Sequence, residues 1–135
     1  DVLKTVTAST ITATTTASST YAVTNLVASI TPSSAANIIK GMASGTLVND
    51  NTSNATAAGL ILGRSSNSNL FGTRAAGFGF NAGVRSCSNI FGYDKPNTTS
   101  SVTYGAYLSS TGNSGNVKFP EENVPAYIEL NEIMG

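Results

Sequence analysis

From residue 124 to its end the chain alternates with a period of two: Ala126, Ile128 and Leu130 fall on one side, and Tyr127, Glu129 and Asn131 on the other. A strand with one buried and one wet face produces that spacing, because successive side chains of a strand point to opposite faces, whereas a helix would group residues three and four apart. Pro120 and Pro125 bracket the approach and Gly135 ends the pattern, so this segment reads as the strand that closes a sheet. The apolar parity then slips. Ile133 falls on the face of Tyr127 and Asn131, which predicts either a bulge over residues 132–134 or a second buried surface supplied by a neighbouring chain in an oligomer.

Similar patterns recur upstream. Residues 1–7 form a plausible first strand, and the Thr-rich stretch 10–20 reads as an exposed ribbon or edge. Leu26, Ala28 and Ile30 share one parity in a strand over 21–31, which Pro32 and its polar neighbours terminate as a turn. Further strands are expected over 38–48, holding Ile38, Met42 and Leu47, and over the nearly continuous apolar segment 55–63. A short strand starts at 70–74, and 77–85 places Phe78, Phe80, Ala82 and Val84 on one face. Ile90, Phe91 and Tyr93 lead to the reversal at Asp94 to Asn97, after which Val102, Tyr104 and Ala106 alternate. Residues 117–119 lead into the closing strand. These are eight to ten short strands with no helical stripe, so the chain is read as all-β: a single-domain antiparallel β-sandwich over residues 1–135, with long connections such as 10–20 favouring a jelly roll over a meander.

A chain of 135 residues buries about two thirds of its unfolded surface, enough for one core. Only 10% of its residues are charged, seven basic against seven acidic, so no field exists to draw in nucleic acid or an anionic membrane. That near-neutral balance suits a fixed part of an assembly better than a free monomer. The longest apolar run, residues 57–62, is too short to span a bilayer. The chain begins at Asp1 without Met and reads as a piece of a longer protein.

No histidine is present, which removes Ser-His-Asp and Cys-His catalysis and His-ligated metals together. Cys87 therefore reads as a structural thiol. Glu129 and Glu132, three apart, point to opposite faces of a strand and cannot form a glycosidase pair, and Glu121 and Glu122 read as a solvated rim. The glycines around Phe78, and those from Gly59 to Gly63, lack the spacing and the lysine that nucleotide loops require. The loop over residues 49–54 offers one carboxylate, too few for a calcium site built by one chain. The glycosylation patterns beginning at Asn51, Asn54 and Asn97 read as polar turns. The expectation is no enzyme, no cofactor and no metal. What remains is recognition by surface: Asn, Ser and Thr hydrogen-bond sugar hydroxyls, which makes Asn49, Asp50, Asn51, Asn54, Asn67, Asn69, Asn113 and Asn116 the receptor-binding candidates.

Several stretches together resemble a known family: residues 1–6, Tyr21 followed by residues 30–39, residues 94–98 with 102–104, and residues 128–134. In this order they resemble C-terminal head domains of phage and cyanophage tail-fibre-like proteins, trimeric jelly rolls of the C1q and tumour-necrosis-factor type. One departure is that the basic residue following the Ala36–Asn37 turn comes late, at Lys40. The resemblance implies a homotrimeric knob on a viral appendage, with Tyr127 and Ile133 as trimer-interface candidates. The partners it implies are further copies of the chain, a host-surface glycan or protein receptor, and other virion proteins. The rival expectation is a structural virion part, a capsid decoration or cap with no receptor.

Overall fold

The computed structural model describes residues 1–49, 56–65, 69–79, 84–112 and 116–135. Its strands are β1 (Val2–Thr10), β2 (Thr14–Thr16), β3 (Ala22–Ile30), β4 (Ile38–Asn49), β5 (Thr56–Arg64), β6 (Asn69–Gly79), β7 (Val84–Asp94), β8 (Val102–Gly112), β9 (Val117–Phe119) and β10 (Ala126–Ile133). There is no helix among the described residues.

The strands form two antiparallel sheets. In the first, β4 pairs with β7 along one edge and with β10 and then β9 along the other, and β1 and β2 lie outside β10 and β9. The second runs β3, β8, β5, β6. Most connections cross from one sheet to the other, as in a jelly roll, so the fold class expected from the alternation is the one observed. The inner faces meet over Leu26, Ile39, Leu47, Leu60, Leu62, Ile90, Leu108, Phe119, Ile128 and Leu130, all fully buried. Each contributes about 2 kcal/mol of transfer free energy.

β9 and β10 are one line of strand interrupted by residues 120–125. That excursion is held by Glu121 N to Thr46 O at 3.0 Å and Asn123 N to Ile11 O at 2.8 Å. Glu122 Oε2 accepts from Ala13 N at 2.8 Å, and Glu121 Oε2 stands 2.6 Å from Arg85 Nε. The two glutamates expected as a solvated rim are thus tied into the structure. Where the interrupted line crosses β4, a Cβ on Gly45 would stand 2.7 Å from the Phe119 ring and 2.8 Å from Ala126 Cβ. Gly45→Ala is expected to cost about 2 kcal/mol by overpacking, read from urea denaturation as a lower midpoint with unchanged slope.

Two expectations change. Residues 77–85 are not one strand: β6 runs unbroken through Gly79, and β7 begins at Val84, opposite Asn49. Phe80 and Ala82 lie outside the described residues. In the sequence the apolar alternation runs on past Gly79 and gives no sign of the boundary. At the carboxyl end, β10 has no bulge; it pairs regularly with β4, Glu132 opposite Ile39 and Ile133 opposite Ile38. The irregularity sits on the facing strand β1, between Val2 and Lys4. Ile133 does share the outer face with Tyr127 and Asn131, half-buried, and the apolar pattern broke because Glu132 takes the inner position at 0% exposure.

Glu132 is held by what surrounds it. Its Oε2 accepts from Ser33 N at 2.7 Å, Ser33 Oγ at 2.8 Å and Asn37 Nδ2 at 2.7 Å. Lys4 Nζ lies 3.9 Å from Oε1, and Asn37 Oδ1 accepts from Gly135 N at 3.3 Å. Burial would raise the carboxyl pKa, but the hydrogen bonds from Asn37 and Ser33, with Lys4, hold it below its ordinary value. At the same end, Arg64 Nε lies 3.0 Å from Asp94 Oδ2, which also accepts from Tyr104 OH at 2.7 Å. Burial, then that bond to Asp94, raises the Tyr104 pKa far above the usual tyrosine value.

The outer edges also differ. On β6 the bulge at Gly72 and Thr73 reaches the edge strand of the other sheet. Thr73 Oγ1 accepts from Phe91 N at 3.0 Å, and Gly72, at φ +85°, brings its backbone against Phe91 and Gly92. Only glycine adopts that φ without strain.

Candidate functional site

The outer faces of the two sheets are unlike. Over the second sheet, side chains fold onto glycines: the Tyr107 ring stands 2.5 Å from where a Cβ of Gly63 would be, and the Tyr21 hydroxyl 2.5 Å from that of Gly59. Over the first sheet nothing of the kind occurs among the described residues. Register alone assembles its surface, because residues directly opposite across antiparallel strands stand side by side.

One row reads Thr5, Asn131, Lys40, Tyr93; the next Thr7, Glu129, Met42, Phe91; the next Ser9, Tyr127, Ser44, Asn89. Tyr127 is 60% exposed, Tyr93 59%, Phe91 48% and Met42 44%. A groove of about 310 Å³ crosses the four strands here, walled by Tyr127 and Phe91 with Thr7, Met42, Ser44, Asn89 and Glu129 along it. Thr5 Oγ1 donates to Asn131 Oδ1 at 2.8 Å, and Asn131 Nδ2 donates to Glu129 Oε2 at 3.4 Å, which steers that carboxylate along its own strand. Cys87 continues the face on β7 as a free, exposed thiol opposite Thr46.

The arrangement offers apolar area and neutral hydrogen-bonding groups rather than a reacting centre. Glu129 and Glu132 stand on opposite faces of β10, as their spacing required. Among the described residues no group of three or more His, Cys, Asp or Glu side chains could hold a metal ion.

The receptor candidates separate. Asp50, Asn51, Asn54, Asn67 and Asn113 lie outside the described residues, and for Asn69 only its backbone place at the start of β6 is described. Asn49 is corrected: it continues the inner parity of Leu47, is 3% exposed, and so is part of the interior rather than a contact surface. Asn116 is exposed, just before β9. Asn49 pairs with Val117 and Val84, and Thr56 with Gly79 and Gly112, so these strand ends lie at one end of the sandwich. Arg64 pairs with Asn69 and Tyr104 at the other end, which separates Asn69 from Asn49 and Asn116. Of the interface candidates, Tyr127 is fully on the open face and Ile133 at its margin. Met42, Phe91 and Tyr93 were missed, because their common face exists only through the pairing of β4 with β7.

Neither a family model nor a curated protein matches the chain. Among solved structures it is similar to a chain of infectious bursal disease virus, Gx strain, at 11% identity and TM-score 0.41, covering 98% of this chain and 36% of that one. It is similar also to the D431N mutant VP2 protein of the same virus in derived T=1 particles, at 9% identity and TM-score 0.32, over 99% of this chain and 38% of that one. A third is the arabinose-bound MgGH51 α-L-arabinofuranosidase, at 8% identity and TM-score 0.33, over 73% of this chain and 15% of that one. The chain therefore spans little more than a third of the viral chains' length and less of the enzyme's. Two of the three are viral, one is a glycosidase, and at such scores no function is carried from either.

Proposed function

We propose that this chain is the head domain of a viral fibre or spike, that it associates as a homotrimer through the outer face of the first sheet, and that it adheres to a host-surface glycan without catalysing a reaction. The observation that carries the reading is the apolar group Met42, Phe91, Tyr93 and Tyr127, exposed together on the outer face of a sheet whose other face is core. Contiguous apolar area of this kind on a soluble protein marks a surface that is covered in the working state. The near-zero net charge, which favours association, and the resemblance of residues 1–6, 20–21 with 30–39, 94–98 with 102–104, and 128–134 to tail-fibre heads point the same way. The Asn, Ser and Thr of residues 50–54 and 113–116 offer neutral hydrogen-bonding groups for such a glycan, and multivalency lets weak sites add.

Two measurements test this. Sedimentation equilibrium at micromolar concentration is expected to return three times the chain mass; a monomer overturns the assembly. A glycan array probed with the trimer is expected to show binding to host polysaccharide. A stable trimer that binds no glycan but enters virions would instead assign it to the structural shell.

A further inference from the structure

Charge on the open face is sparse and balanced. From the row of Ile133 to that of Cys87, the outward residues of β1, β10, β4 and β7 include one cation, Lys40, and one anion, Glu129. They occupy diagonal positions: Asn131 stands directly opposite Lys40, and Met42 directly opposite Glu129. No ion pair joins them; Glu129 turns to Asn131, and Lys40 has no ion-pair partner among the described residues. Both border the exposed apolar side chains that the proposed assembly would cover.

Covering an apolar face that carries an unpaired charge is strongly unfavourable, because each ion left without a counter-ion loses its water and gains nothing in return. A second copy laid on this face therefore has to bring a carboxylate to Lys40 and a cation to Glu129, and within these rows the second copy has only its own Glu129 and Lys40 to offer. We propose that Lys40 of one chain pairs with Glu129 of the next, and that this pair sets the register in which copies associate. The apolar side chains supply the attraction, and the single charge of each sign rejects the alignments that would bury either one alone. The inference rests on the assembly proposed above and goes beyond it by naming the contact that fixes its geometry.

Charge reversal on the full chain separates the possibilities, with mass read by sedimentation and folding by circular dichroism. Lys40→Glu and Glu129→Lys are each expected to weaken association by at least about tenfold, since like charges then face each other at every contact. Mixing the two variants is expected to recover part of the association, because a chain carrying Lys40→Glu beside one carrying Glu129→Lys restores an opposite-charge contact. Two variants that assemble like the wild type overturn the pairing while leaving the assembly standing. Variants that weaken singly and are not recovered by mixing place the pair within one chain, which also overturns it. A wild-type monomer overturns the assembly itself, and one whose tyrosine fluorescence responds to a soluble oligosaccharide assigns the groove to a sugar instead.

Discussion

Glu132→Ala is expected to lower the melting temperature by about 10 °C. The side chain accepts hydrogen bonds from Ser33 N, Ser33 Oγ and Asn37 Nδ2 within 2.8 Å and faces Lys4. Removing it leaves the buried Asn37 amide and the part-buried Ser33 donors without an acceptor, at a cost of about 3 kcal/mol, which a domain of this size registers as roughly that temperature shift. Its loss also frees the turn over residues 31–37 from β10, and with it Asn37, which receives Gly135 N. The pH dependence has a definite sign. The carboxyl pKa is lower in the fold than its ordinary value of 4.5. Its contribution is therefore fully present above pH 4.5 and is lost as pH falls through the lower folded value. Thermal melts of wild type and Glu132→Gln are expected to lie furthest apart at neutral pH and to converge in acid below 4.5. A constant gap across that range would show that the ionised form contributes nothing.

Glu132 also marks where reading the sequence stops. Strand β10 was legible because Ala126, Ile128 and Leu130 are apolar and their neighbours polar, so a period of two sufficed. A carboxylate at the next inner position looks like a slipped pattern, since nothing within residues 126–135 shows that Ser33 and Asn37 will close over it. The partners lie nearly a hundred residues away, and only the fold brings them together. The same limit hid the open face. Ile90 and Phe91 are adjacent apolar residues, and either could have been the buried one. Pairing of Met42 with Phe91, Lys40 with Tyr93 and Tyr127 with Ser44 decides the matter, leaving Ile90 in the core and Phe91 outside. Alternation thus gave the sheets, while register, which depends on contacts distant in sequence, gave the surface. The segment over 77–85 failed for a related reason, because its apolar parity runs on from Phe78 to Val84 although Gly79 pairs with Thr56 in one sheet and Val84 with Asn49 in the other.

That surface carries the larger prediction. Phe91→Asp combined with Tyr127→Asp is expected to convert the proposed assembly to a species of the 13.7 kDa chain mass. Aromatic anchors at the centre of an interface are worth about 2 kcal/mol or more each, so their joint loss raises the dissociation constant by about a thousandfold. Both side chains already face solvent in the isolated chain, 48% and 60% exposed. The monomer's circular dichroism should therefore be unchanged, which distinguishes dissociation from unfolding. Cys87 gives an independent reading, because its exposed thiol lies on the same face of β7 as Phe91. Alkylation should be slow in the wild-type assembly and fast in the double variant. If the double variant kept the wild-type mass, the copies would have to meet elsewhere, and an exposed cluster of Met42, Phe91, Tyr93 and Tyr127 would then require an occupant other than a second copy of the chain.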